Sequence, residues 1–98
     1  SRMKEIETEV RRNLSMATLL IKNSFPDGAV APLQEAIRSA TQLLLLGRGE
    51  PEQKPTAELI PLEWSGSPVA SFMETPTPAL AAQTADALEE KLKCLQNP

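Results

Sequence analysis

The chain has 98 residues, a net charge of −3 and a pI near 4.9, which suits one hydrophobic core and leaves no room for a second. The acidic balance disfavours a phosphate-tracking surface, so direct nucleic-acid binding by this piece is not expected. Histidine is missing and Cys94 is the one cysteine, which excludes histidine-based acid–base chemistry, His-containing triads, most zinc sites and any internal disulfide.

The aromatic residues are Phe25, Trp64 and Phe72 alone. A core must therefore be built from Leu, Ile, Ala, Val and Met, a composition that favours helix over sheet. The opening Ser1-Arg2, with helical periodicity beginning at once, suggests a piece excised from a longer protein; Met3 as a true start behind a tag remnant is the alternative. A first helix is predicted from about Met3 to Lys22, with Met3, Ile6, Val10, Leu14, Ala17 and Ile21 on one stripe. Glu5, Glu7 and Glu9 lie in its early turns, at the positive end of the helix dipole, and Glu7 and Arg11 are four apart in the favourable order.

Asn23-Ser24-Phe25-Pro26-Asp27-Gly28 is a turn signal. Asn23 reads as a left-handed terminator, Ser24 as the cap of the next helix with Asp27 three residues on, and Pro26 as its first turn. Pro32 presses on the carbonyl of Gly28, so a kink or loosened turn is expected there. Leu33, Ala36, Ile37, Ala40, Leu43 and Leu44 continue the helix to Leu46, and Gly47 is expected to stop it. The two helices form an αα-hairpin over 3–46.

Residues 47–57 read as a polar, proline-bearing loop. A short helical turn is expected in 58–64, and another helix between Ser65 and Met73, with Ser67 capping, Pro68 first, and Val69, Phe72 and Met73 inward. The final helix, 77–96, carries Thr77 as cap, Pro78 first, and a stripe of Leu80, Ala81, Thr84, Ala85, Leu88, Leu92 and Leu95. The predicted fold is all-α: one domain over 1–98, a bundle of three long helices of roughly 20 residues with one or two short ones in 47–76.

Chemistry-bearing patterns are sparse. Glu5 with Glu9, and Asp86 with Glu90, share helix faces and would suit an acid–base dyad or a hard cation, but both pairs lie on polar stripes and read as solvated surface. Arg11 and Arg12 diverge by about 100° and do not converge on a phosphate. Cys94 reads as half-buried packing beside Leu92 and Leu95. No Gly-rich phosphate loop or nucleophile elbow is present, so no catalytic residue, metal ligand or cofactor is assigned and the chain is not expected to be an enzyme.

Charge is uneven. Residues 1–23 carry five basic side chains against three acidic ones, and residues 50–74 carry five acidic ones against Lys54 alone, a weak basic patch or simply a solvated face. Trp64 suits either a lid over the end of a core or an exposed anchor. The four leucines Leu43–Leu46 surround a helix turn, so one of them should face away from the local core. The residues assigned to partner contact are Leu45, Leu46, Trp64 and Phe72. A membrane span needs roughly 20 apolar residues, far beyond the Leu43–Leu46 run, and the lone cysteine without a signal-like start points to a reducing, cytoplasmic setting.

Ala17-Thr18-Leu19-Leu20, Phe25-Pro26-Asp27-Gly28-Ala29 and Pro32-Leu33-Gln34-Glu35-Ala36-Ile37 with Ala40 resemble the helix pair of HEPN-type domains. They also resemble, more loosely, one tetratricopeptide unit and the C-terminal helical tail of some bacterial Swi/Snf-type helicase-like ATPases. The similarity covers roughly 10–46. HEPN ribonucleases carry an Arg followed closely by a His; Arg11, Arg12 and Arg38 have no such partner here, so nuclease activity does not carry over. A tetratricopeptide array is disfavoured because no second copy of the pattern occurs. The resemblance implies a non-catalytic accessory or interaction module at the C-terminus of a larger intracellular protein, helicase-like by that likeness. Its partner would be a neighbouring domain or a second copy. The alternatives are a HEPN-type bundle that binds a small ligand or nucleotide, and a carboxylate-based hydrolase.

Overall fold

Helix α1 spans Arg2–Lys22, and the Ser1 hydroxyl accepts a hydrogen bond from the Lys4 N–H at 3.3 Å to cap it. In this computed structural model residues 1–50 and 60–96 are described. Ile6, Val10, Leu14 and Ala17 form the buried face of α1, the stripe that three- and four-residue spacing dictates. The Arg11 guanidinium meets Glu89 on the last helix at 3.3 Å.

The turn after α1 corrects the predicted capping. Asn23 stays right-handed at φ −95, and Ser24 takes the left-handed conformation at φ +64. The Phe25 N–H reaches the Leu20 carbonyl at 2.8 Å and the Ser24 N–H the Ile21 carbonyl at 3.1 Å. This doubly bonded ending satisfies carbonyls that the helix leaves open. Ser24 therefore terminates α1 rather than capping α2, whose N-cap is Phe25 with no side-chain cap bond.

Helix α2, Pro26–Gly47, runs through Pro32 without a break. It ends one residue past the predicted stop, and the left-handed residue is Gly49 at φ +80 rather than Gly47. Glu50 N–H to Leu45 O and Gly49 N–H to Leu46 O, both 3.0 Å, repeat the bonding that closes α1. A Cβ built on Gly28 would stand 3.6 Å from Leu20 Cδ1, and one on Gly47 3.9 Å from Met3 Cε. Start meets end in both cases, so the two helices are antiparallel. Theirs is the most extensive helix–helix contact among the described residues.

The chain then crosses over. The predicted loop at 47–57 and the start of the predicted turn at 58–64 fall largely on residues 51–59, outside the described residues. Beyond them come a 3-10 turn at Leu62–Trp64, helix α3 at Pro68–Glu74, a second 3-10 turn at Pro78–Leu80 and helix α4 at Ala81–Gln96. Val69, Phe72 and Met73 point inward, as their spacing predicts. Ser67 caps α3 only by position; its hydroxyl donates instead to the Trp64 carbonyl. Thr77 likewise makes no side-chain cap bond.

Leu92 and Leu95 lie near Met3 and Val10, whereas Ala82 and Ala85 lie near Thr18 and Ile21. Helix α4 is thus antiparallel to α1 and parallel to α2. Two parallel neighbours cannot be joined by a tight turn, which is why a long crossover separates them. The fold is all-α, with four α-helices and no strand among the described residues. The core gathers the α1 and α2 stripes with Trp64, Val69, Phe72, Met73, Ala81, Ala85, Leu88 and Leu92. At 16 residues, α4 is shorter than α1 at 21 and α2 at 22, so the equal lengths predicted do not hold; a 3-10 turn takes up the first residues of the α4 segment.

Candidate functional site

Phe72 is wholly enclosed, and Trp64 is only 5 % exposed. As the domain is folded, neither offers its ring to a partner, which corrects their assignment to a contact surface. The cause is the crossover: α3 packs on α4 and carries Phe72 into the core, and the 3-10 turn carries Trp64 there. Three further contacts hold that turn. The Trp64 N–H donates to the Pro61 carbonyl at 2.9 Å, the Lys91 ammonium lies over the indole face at 5.8 Å from its centroid, and Glu63 pairs with Arg48 at the end of α2. Trp64 has the geometry of a lid.

The four-leucine turn divides. Leu43, Leu44 and Leu46 pack against the core from partly buried positions, and Leu45 is half-buried as well. Leu43 and Leu44 form part of a cleft of about 470 Å³ where the start of α1 meets the ends of α2 and α4. Met3, Val10, Leu92 and Leu95 supply the rest of its apolar wall, and Glu7, Arg11 and Arg48 its polar groups.

Large apolar side chains face solvent elsewhere. Met16 is 49 % exposed, Leu19 62 % and Phe25 64 %. Met16 and Leu19 are three apart on α1 and share a face, and the turn at Ser24 brings Phe25 back toward the last turn of α1. Sequence reasoning missed this patch because it followed the main α1 stripe. The available signal was a methionine and a leucine lying off that stripe on an otherwise polar face.

The remaining candidates are surface groups. Glu5 pairs with Arg2 at 3.3 Å and Glu90 with Lys93 at 3.5 Å, each within its own helix, and Glu9 and Asp86 are exposed. Cys94, expected to be half-buried, is exposed: at 100° per residue it points nearly opposite Leu92. Among the described residues no three His, Cys, Asp or Glu side chains come together as metal ligands, and no helix is long and apolar enough to cross a membrane.

Comparison with known proteins found no matching family model, no matching curated protein and no matching solved structure.

Proposed function

We propose that this chain is a non-catalytic accessory domain that docks on another protein surface through the outward face of α1 and the turn behind it. The exposed Met16, Leu19 and Phe25 carry the reading. Burying large apolar side chains releases about 25 cal/mol per Å², and apolar side chains grouped on one face are the mark of a contact surface. The partner is a neighbouring domain of a parent protein or a second copy of this chain. A cytoplasmic, helicase-like ATPase as that parent is supported only by the likeness in residues 10–46. Leu45 stays in the proposal as a half-buried contact at the far end of α2.

Sedimentation velocity over a concentration series tests the second-copy form. Self-association that Leu19→Glu abolishes, with helical content unchanged, supports it. Association that survives Leu19→Glu and Met16→Glu together sinks the assignment of this face. The cleft between the helix ends supports a second reading, small-ligand binding by the bundle.

A further inference from the structure

Gly47 is the last residue of α2 and lines the cleft where the three long helices meet end to end. Neither its backbone nor its neighbours require a glycine. Its φ lies outside the left-handed region that Gly49 occupies, and an added Cβ would stand 3.9 Å from Met3 Cε, an ordinary contact. Glycine disfavours a helix by about 0.5–1 kcal/mol relative to alanine. The one consequence it has here is open space in the cleft wall. That space, about 470 Å³, lies within the roughly 300–1,000 Å³ typical of small-molecule sites. Three helices close around it, so it is a pit between helix ends rather than a furrow suited to a docked helix.

Among the apolar residues of the wall, Val10 and Leu92 are buried, Leu43, Leu44 and Leu95 are half-buried, and Met3 is exposed. Apolar sides that still meet water are stabilised by being covered. The charged residues of the wall offer a ligand nothing comparable. Arg11 is paired with Glu89 at 3.3 Å, Arg48 is paired with Glu63, and Glu7 is engaged within the protein as well. A charged ligand would enter beside closed pairs without a partner, or would break one of them, and both are costly. An uncharged ligand meets neither penalty.

We infer that this cleft binds an uncharged medium-chain aliphatic molecule, its chain lying against Leu43, Leu44, Leu92 and Leu95. The inference rests on the ligand-binding reading and is independent of the α1 face. The wall selects the hydrocarbon, being built of leucine, valine and methionine with no aromatic ring to stack on. The closed ion pairs select neutrality. Desolvation of the alkyl chain supplies the affinity, so discrimination falls on charge and bulk rather than on any one polar group.

The test is methyl-resolved NMR titration of the folded chain with 1-octanol, octanoate and octylammonium, each kept below its solubility limit or micelle concentration. Saturable octanol shifts at the Leu43, Leu44, Leu92 and Leu95 methyls are the result expected, with each ion bound about tenfold more weakly. Gly47→Leu fills the cleft with a better helix former and should abolish the octanol shifts. Gly47→Ala, the milder filling, should weaken them in the same direction, and Arg48→Gln should leave them unchanged. Either ion binding as tightly as octanol overturns the uncharged class while sparing the cleft as a ligand site. Octanol shifts that survive both Gly47 substitutions, or that fall on Met16 and Leu19 alone, overturn the cleft and the ligand-binding reading with it. The absence of saturable shifts with all three compounds does the same. Leu43 and Leu95 shifts that follow protein concentration without any ligand give the cleft to a second copy of this chain and overturn the inference.

Discussion

Lys91 holds its ammonium 5.8 Å from the centre of the Trp64 ring, a cation set on an indole that is almost fully shielded from water. One residue comes from the 3-10 turn within the crossover and the other from the third turn of α4. Their contact therefore fastens the connection to the bundle. With Lys91 only partly buried, such a contact is worth about 0.5–1 kcal/mol.

Lys91→Met keeps most of the stem that covers the ring and removes the charge. It should lower stability by about 1 kcal/mol, and Lys91→Arg should not. Urea unfolding followed by fluorescence reads both, since Trp64 is the only tryptophan. A Lys91→Met midpoint equal to that of the parent would mean that the ring is held by packing alone.

Thr41 and Thr84 are both buried, yet their hydroxyls have different fates. The Thr41 hydroxyl donates to the Ile37 carbonyl at 2.9 Å, whereas the Thr84 hydroxyl is buried without a hydrogen-bond partner. An unsatisfied buried polar group costs about 1–3 kcal/mol. Valine has nearly the same shape and the same branched Cβ, so helix propensity and volume barely change. Thr84→Val should therefore stabilise the domain by about 1 kcal/mol or more, and Thr41→Val should give no such gain. Calorimetric melting of the two variants separates these outcomes; equal effects would show that the Thr84 hydroxyl is not the cause.

Regular burial was readable before the coordinates, and irregular burial was not. Ile6, Val10, Leu14 and Ala17, or Ala81, Ala85, Leu88 and Leu92, recur at helical spacing, and that spacing alone assigns them to one face. Trp64 sits in a turn too short to have a face of its own. Whether it points in or out depends on how a crossover between parallel helices lies on the core, which is a long-range matter. The Asn23-Ser24 pair shows a finer limit. Asparagine enters the left-handed region more readily than serine, yet the hydrogen-bond register in the last turn of α1 places Ser24 there. The cleft was out of reach for another reason: its walls join residues about 40 and 90 positions apart, brought together only by the relative directions of α1, α2 and α4.

Ser24 holds φ +64 and is exposed. A non-glycine residue there crowds its Cβ against the following carbonyl, at roughly 1–2 kcal/mol. Ser24→Gly relieves the crowding but adds freedom to the unfolded chain. The net expectation is a gain of about 0.5–1 kcal/mol, while Ser24→Val, branched at Cβ, should destabilise. Gly49 occupies the matching position after α2 at φ +80, so Gly49→Ser should cost about what Ser24→Gly gains. Chemical denaturation of the three variants tests the symmetry, and a Ser24→Gly protein less stable than the parent would break it.

Pro32 is the seventh residue of α2, where it removes the bond to the Gly28 carbonyl and crowds that carbonyl with its ring. The helix nonetheless stays continuous. Gly28 is the residue whose backbone yields most easily, and its missing Cβ is not required by packing, because the nearest atom would be Leu20 Cδ1 at an ordinary 3.6 Å. The glycine is then there to accommodate the proline, which makes the two substitutions interdependent. Pro32→Ala should stabilise by about 1–3 kcal/mol, the lower part of the range allowing for the freer unfolded chain. Gly28→Ala alone should fall short of the usual helix-interior gain of about 0.5–1 kcal/mol, and should recover it once Pro32 is alanine. A double-mutant cycle by urea denaturation measures that coupling directly. Strict additivity would mean that the strain at Pro32 is absorbed elsewhere in α2, and that Gly28 owes its place to something other than the proline four residues on.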